Sequence, residues 1–130
     1  MAGKTGYENR MVTFNYWILP VTTPWNDCWA GESAGMIEVP EENRPQYGPA
    51  PGIRFHDLMI MEDDWGFWNR TGKIPDTLYT QAEMLEYIGR FRNSKSMLTI
   101  NAEIYQEGFM GELTQKVLKQ TAEAGKKAVP

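Results

Sequence analysis

Apolar positions along the chain fall into five runs, and the spacing within each predicts whether it is a strand or a helix. Residues 11–19, MVTFNYWIL, are β-branched and aromatic and stop at Pro20, the pattern of a strand. A stretch of about thirty residues rich in Pro and Gly follows, a length that inside a compact domain marks either a functional loop or disorder. Its tryptophans and Cys28 speak against disorder. A second strand is expected over residues 53–61, IRFHDLMIM, closed by Glu62-Asp63-Asp64 and then Trp65-Gly66. Next, Thr80 and Glu83 form a capping box, and Met84, Ile88 and Phe91 recur at i, i+4, i+7 on one helical face. Arg90 and Arg92 suit the negative end of that helix, and Asn93-Ser94 is expected to break it. Met97-Leu98-Thr99-Ile100 opens a third strand, which gives way to Asn101 and Glu103. The last run, residues 111–128, predicts a helix with Leu113, Val117 and Leu118 as its buried stripe and lysines toward its end.

The order strand, long loop, strand, loop, helix, strand, helix implies parallel βα units in an α/β fold. In such folds function collects in the loops beyond the C-terminal ends of the strands. The first strand leads to Asp27, Trp29 and Glu32, the second to Glu62, Asp63, Asp64 and Trp65, and the third to Asn101 and Glu103. Carboxylates and tryptophans on one rim are what glycoside cleavage uses: one acid protonates the leaving oxygen, a second carboxylate works opposite it, and rings stack on the sugar. Each residue also has a plain structural role available. Loop acids are commonly solvated, and an Asn at a strand end commonly satisfies backbone groups. His56 lies within the second strand, where a hydrogen-bonded core histidine is the commoner case. Alternation would point it with Leu58 and Ile60, toward a barrel-like interior.

Composition narrows the classes further. The chain has 130 residues, 42% hydrophobic and 23% charged, enough for one soluble globular domain with one moderate core. A net charge of -4 with scattered acids gives no nucleic-acid-binding face. No run approaches the roughly 20 apolar residues of a membrane span, and residues 1–10 contain no signal-peptide core. Cys28 and His56 are each the sole residue of their type, so neither a disulfide framework nor a Cys- or His-rich metal centre is expected. No cofactor is implied. The five Trp and six Tyr stand out, because flat rings in loops, such as Trp25, Trp29 and Trp68, suit sugar faces and protein contacts as well as core cover. Asn69-Arg70-Thr71 fits a glycosylation sequon, a triplet that is common by chance.

Taken in order, these segments resemble the end of the catalytic domain of α-L-fucosidase-like glycoside hydrolases, retaining enzymes on a (β/α)8-type barrel. The last barrel strand of that family reads like LLLNIGP, followed by an acidic residue and Gly. MLTINAEIYQEG keeps the Asn as Asn101 and the Gly as Gly108, with Glu107 for the usual Asp. FHDLMIMEDDWG matches the preceding strand that ends in Trp-Gly, with Phe55 where a Trp is typical and Trp65-Gly66 matching directly. Some bacterial relatives place a His beside that Trp, as His56 is placed, and carry an AGE stretch matched by Ala30-Gly31-Glu32. Trp29 stands where a Thr often precedes that stretch. The similarity spans roughly residues 11 to 125.

The resemblance implies a partial (β/α)8-type barrel, about its last three parallel strands with their helices, over residues 11–128 behind an N-terminal extension of residues 1–10. It places Glu32 near the position that supplies the acid/base, and Trp29, His56, Trp65 and Asn101 on the sugar-binding rim. The nucleophilic Asp of the family lies on a strand upstream of everything matched, and a closed barrel takes about 250 residues. The implied protein is therefore a C-terminal fragment, inactive alone, that meets a fucoside-like carbohydrate. Two other readings stand beside it: a non-catalytic carbohydrate-binding module using Trp25, Trp29 and Trp65, and a module that self-associates through its open barrel face.

Overall fold

A computed structural model describes residues 5–13, 26–29, 31–42, 53–68 and 72–127. Within them the order is β1 (His56–Ile60), α1 (Gln81–Ser94), β2 (Met97–Asn101) and α2 (Glu112–Lys127). β1 and β2 pair in parallel, His56 opposite Met97 and Ile60 opposite Asn101. The α/β class and the parallel pairing expected from the sequence are both present. Of the expected first strand, residues 14–19 lie outside the described residues, as do Trp25, Ala30 and the 69–71 triplet.

Part of the stretch expected to be loop lies along β1. Cys28 bridges Arg54 and Ala34 bridges Met59, both in parallel, with Trp29 N donating to Arg54 O and Ser33 N to Leu58 O. Gly31 makes this approach feasible: a Cβ there would stand 2.2 Å from the His56 carbonyl oxygen. On the far side of this segment Asp27 N donates to Val12 O, while the Asp27 carboxylate accepts from Val12 N. The result is that residues 12–13, 28–29 and 31–34, β1 and β2 lie side by side, joined by isolated bridges and single hydrogen bonds outside the β1–β2 pair.

α1 starts as its sequence dictates. The Thr80 hydroxyl accepts from Glu83 N, and the Glu83 carboxylate accepts from Thr80 N at 2.8 Å, so two of the otherwise unpaired first-turn donors are satisfied. Its end differs from expectation. Asn93 and Ser94 remain helical, and Lys95 closes the helix in the left-handed conformation at φ 56°, its N–H shared between Arg92 O and Phe91 O. Ser94 is buried and bonds Phe91 O and Ser96 Oγ, which lets a short polar residue stay inside the last turn.

The core lies between one face of the sheet and the helices. Phe55, Met59 and Met61 meet Met84, Tyr87, Phe91 and Val117, with Trp29, Met36 and Val39 packed around them. Three methionines at the centre fill irregular gaps with flexible, unbranched chains. Asp57 shares the helix-side face of β1 and is fully buried; the Tyr87 hydroxyl donates to its Oδ2 at 2.9 Å and accepts from Ile37 N. Burial holds the Tyr87 phenol well above its ordinary range. The expected stripe of α2 holds at Val117, which is buried, and at Leu118, which packs against the core, but not at Leu113. Leu113 is 37% exposed, and Thr114, Val117 and Thr121 are the buried positions. The Thr114 hydroxyl donates to buried Glu62, and this polar anchor sets which face of α2 looks inward.

Candidate functional site at the ends of the strands

The loops leaving β1 and β2 are bound together by side-chain to backbone hydrogen bonds. Asn101 Nδ2 donates to Trp65 O at 3.1 Å, and Met61 N donates to Asn101 O. Glu62, fully buried, accepts from Glu103 N through one oxygen and from the Thr114 hydroxyl through the other. A buried carboxylate with both oxygens engaged is a structural tie between β1, the exit of β2 and the start of α2. Of the six acids expected on the rim, Glu62 is thereby assigned to scaffold.

Glu103 lies beside it, 2% exposed. Burial raises its pKa, and the charges of Glu62, Asp63 and Asp64 raise it further, while the Asp64 amide pulls the other way. Asp63 and Asp64 are exposed, and Asp64 Oδ1 accepts from Trp65 N at 2.6 Å. The rim thus carries two solvent-facing acids over one buried carboxyl that is biased to hold its proton. Among the described residues no three His, Cys, Asp or Glu side chains are arranged to hold a metal ion.

Aromatic rings flank these acids. Trp65 is 38% and Trp68 83% exposed. Phe67 meets the edge of Tyr105, whose ring lies 5.0 Å from that of Phe109. The turn that presents Phe109 depends on Gly108 at φ 88°, with Gly108 N donating to Tyr105 O and Tyr105 N to Phe109 O. The Tyr105 hydroxyl, accepting from Ile74 N, pins this turn to the stretch before α1. Phe67, Tyr105 and Phe109 were not singled out by sequence reasoning. Their signal is the aromatic content of the two segments just past strand ends, visible once those ends are fixed.

The other expected site residues fall elsewhere. His56 sits at the start of β1, at the opposite end from the rim, on the face away from α1, with Nε2 3.0 Å from Thr99 Oγ1. Burial lowers its pKa, so the neutral ring is favoured. Trp29 turns toward the helices, its ring edge-on to Phe55 at 5.2 Å and its indole N–H buried without a hydrogen-bond partner among the described residues. Glu32 is half-buried and engaged in an interaction, on the segment whose Ser33 N reaches Leu58 O. That level is four residues short of Glu62, about 13 Å along the strand at ~3.3 Å per residue. The structure therefore brings Trp65 and Asn101 together with Asp63, Asp64 and Glu103, and leaves Glu32, Trp29 and His56 outside that group.

No family model matches the chain, and no curated protein or solved structure matches it.

Proposed function

We propose that the chain handles carbohydrate at this rim, as the C-terminal part of an α-L-fucosidase-like glycoside hydrolase of the (β/α)8 type, and that it does not hydrolyse glycosides by itself. The observation that carries the reading is the Asn101–Trp65 bond, which fixes the Trp65 main chain, and with it the start of an exposed indole, at the C-terminal ends of two parallel strands, beside Asp63 and Asp64. Rings so held stack on the apolar faces of sugars while neighbouring carboxylates accept from hydroxyls. In the complete enzyme the reaction would be a double displacement. An Asp on an upstream strand attacks the anomeric carbon, and a carboxylic acid protonates the leaving oxygen. Glu32 is the residue that the family resemblance assigns to that acid. A retaining pair stands ~5–5.5 Å apart, whereas the Glu32 level lies about 13 Å along the strand from the rim acids, so the isolated chain should bind without cleaving.

The test is titration of the chain with L-fucose and with an aryl fucoside, following tryptophan fluorescence and product release together. Saturable quenching that Trp65→Ala abolishes, without release of the aryl group, is the expected result. Absence of quenching at tens of millimolar sugar would remove the rim from carbohydrate binding. For Glu32, the complete enzyme with Glu32→Gln should lose more rate on a poor leaving group than on a good one; equal losses would take it out of the acid role.

The 83% exposure of Trp68 favours a second reading, a purely binding module. It expects quenching that depends on Trp68 as much as on Trp65, and affinity for sugars other than fucose.

A further inference from the structure

Away from the rim, α1 and α2 leave a slot of about 620 Å³ between them. Leu85, Ile88 and Arg92 wall it from α1, and Leu118, Thr121 and Lys126 from α2. Its floor is open because Gly89 and Gly125 carry no side chain; a Cβ on Gly89 would meet nothing within 4 Å. Glycine inside a helix costs about 1 kcal/mol relative to alanine. Two of them on facing stripes therefore preserve empty space at the expense of stability.

Two further observations concern polar groups. Thr121 is 4% exposed and forms part of the wall, yet its hydroxyl has no hydrogen-bond partner among the described residues. Arg92 reaches across from α1, its Nη1 4.0 Å from where a Cβ on Gly125 would stand, and so approaches the part of α2 that carries Lys126. Neither cation has a carboxylate partner among the described residues. The slot is thus apolar along its length, cationic at one end, and contains one unsatisfied hydroxyl.

We propose that this slot binds a small amphipathic carboxylate, an unbranched alkyl chain lying between Leu85, Ile88 and Leu118 with its head group on Arg92 and Lys126. Charge complementarity selects the head, and the apolar walls select the tail. The volume lies within the ~300–1,000 Å³ of small-molecule sites. From Leu85 to Arg92 the slot runs about 10 Å along α1 at ~1.5 Å per residue, the reach of a medium-length chain. A partner helix fits less well. Glu86, Arg90, Lys119 and Glu123 stand exposed on the same two helices around the slot, whereas a stable protein interface covers about 800 Å² per partner.

The experiment titrates the full chain with decanoate, below its micelle concentration, and follows backbone amide shifts. Decanol and decyltrimethylammonium serve as uncharged and cationic controls. Saturable shifts confined to residues 85–92 and 118–126 are expected, with decanoate binding at least about tenfold more tightly than either control and less tightly as salt is raised. The double variant R92Q/K126Q should erase the preference for decanoate over decanol. Gly89→Leu, which suits a helix and fills the floor, should abolish binding. Thr121→Val should weaken binding without lowering thermal stability, because the hydroxyl it removes bonds nothing in the fold. Equal affinity for decanoate and decanol, shifts outside the slot, or binding undiminished by Gly89→Leu would overturn the proposal. So would a dimer that Gly89→Leu dissociates and decanoate does not, since the slot would then seat a second copy.

Discussion

Two buried carboxyl groups show how strongly a single residue can depend on its neighbours. Asp57 has one oxygen on the Tyr87 hydroxyl and the other without a partner among the described residues. Removing the only donor from a fully buried carboxylate leaves it unsatisfied, so Tyr87→Phe should lower stability by about 1–3 kcal/mol, read from urea unfolding. A loss below a few tenths would mean that the bond contributes nothing. Glu103 acts through pH. Its folded pKa is raised, by burial first and then by Glu62, Asp63 and Asp64. The folded state therefore holds this proton more tightly than the unfolded chain does. Its contribution is full below the ordinary carboxylate range and is lost as pH rises through the raised value. Glu103→Gln should accordingly raise the melting temperature at neutral pH and leave it nearly unchanged near pH ~4. An equal shift at both pH values would show that the effect is not ionisation. Neither residue was legible from sequence as what it is. Asp57 looked like one polar position in an apolar strand, and Glu103 like a loop acid. Contacts made across the chain distinguish them: Tyr87, thirty residues on, for Asp57, and Glu62, forty-one residues back, for Glu103.

Among the elements, those with local signals were the ones the sequence announced. The Thr80 capping box and the Met84–Phe91 repeat define α1 because every group involved lies within a few turns. α2 was found with Val117 and Leu118 inward as expected, but Thr114 rather than Leu113 begins its inward face, through the bond to Glu62, a contact across fifty-two residues that periodicity cannot supply. The neighbours of β1 at residues 28–29 and 31–34 were missed for a related reason. Their pairing rests on Gly31 passing close to the His56 carbonyl, and Gly in sequence reads as punctuation rather than as close approach. Gly31→Ala tests this directly. The added methyl would collide with backbone, which cannot rotate away as a side chain can. A loss of about 1–3 kcal/mol is expected, with the Trp29–Phe55 contact disturbed and visible as changed near-ultraviolet circular dichroism. Unchanged stability would mean that 28–34 does not lie along β1.

For the whole molecule, the decisive asymmetry is that helices cover one face of the sheet. Phe55, Asp57, Met59 and Met61 look toward α1 and α2, and the alternate positions His56, Leu58 and Thr99 look away from them. No described strand pairs with the outer edge of β2. In a closed barrel both features would be internal: the helix-free face would line the interior and the edge would pair with the next strand. An apolar-flanked face and an edge with no partner among the described residues favour association with another chain. Concentration-dependent self-association is therefore the expected behaviour of this chain, seen as a weight-average mass that rises with loading in sedimentation equilibrium. Thr99→Lys places a charge on the helix-free face beside His56 and beneath the open edge, where it faces solvent in the monomer. It should weaken association by about tenfold or more while lowering monomer stability by no more than about 1.5 kcal/mol, the worth of the lost His56–Thr99 contact. A parent chain that stays monomeric throughout would remove association from the account, and a dimer indifferent to Thr99→Lys would move it to another surface. The α1–α2 slot lies in the helical layer, so Gly89→Leu should leave this equilibrium untouched, and the two surfaces can be told apart in one set of runs.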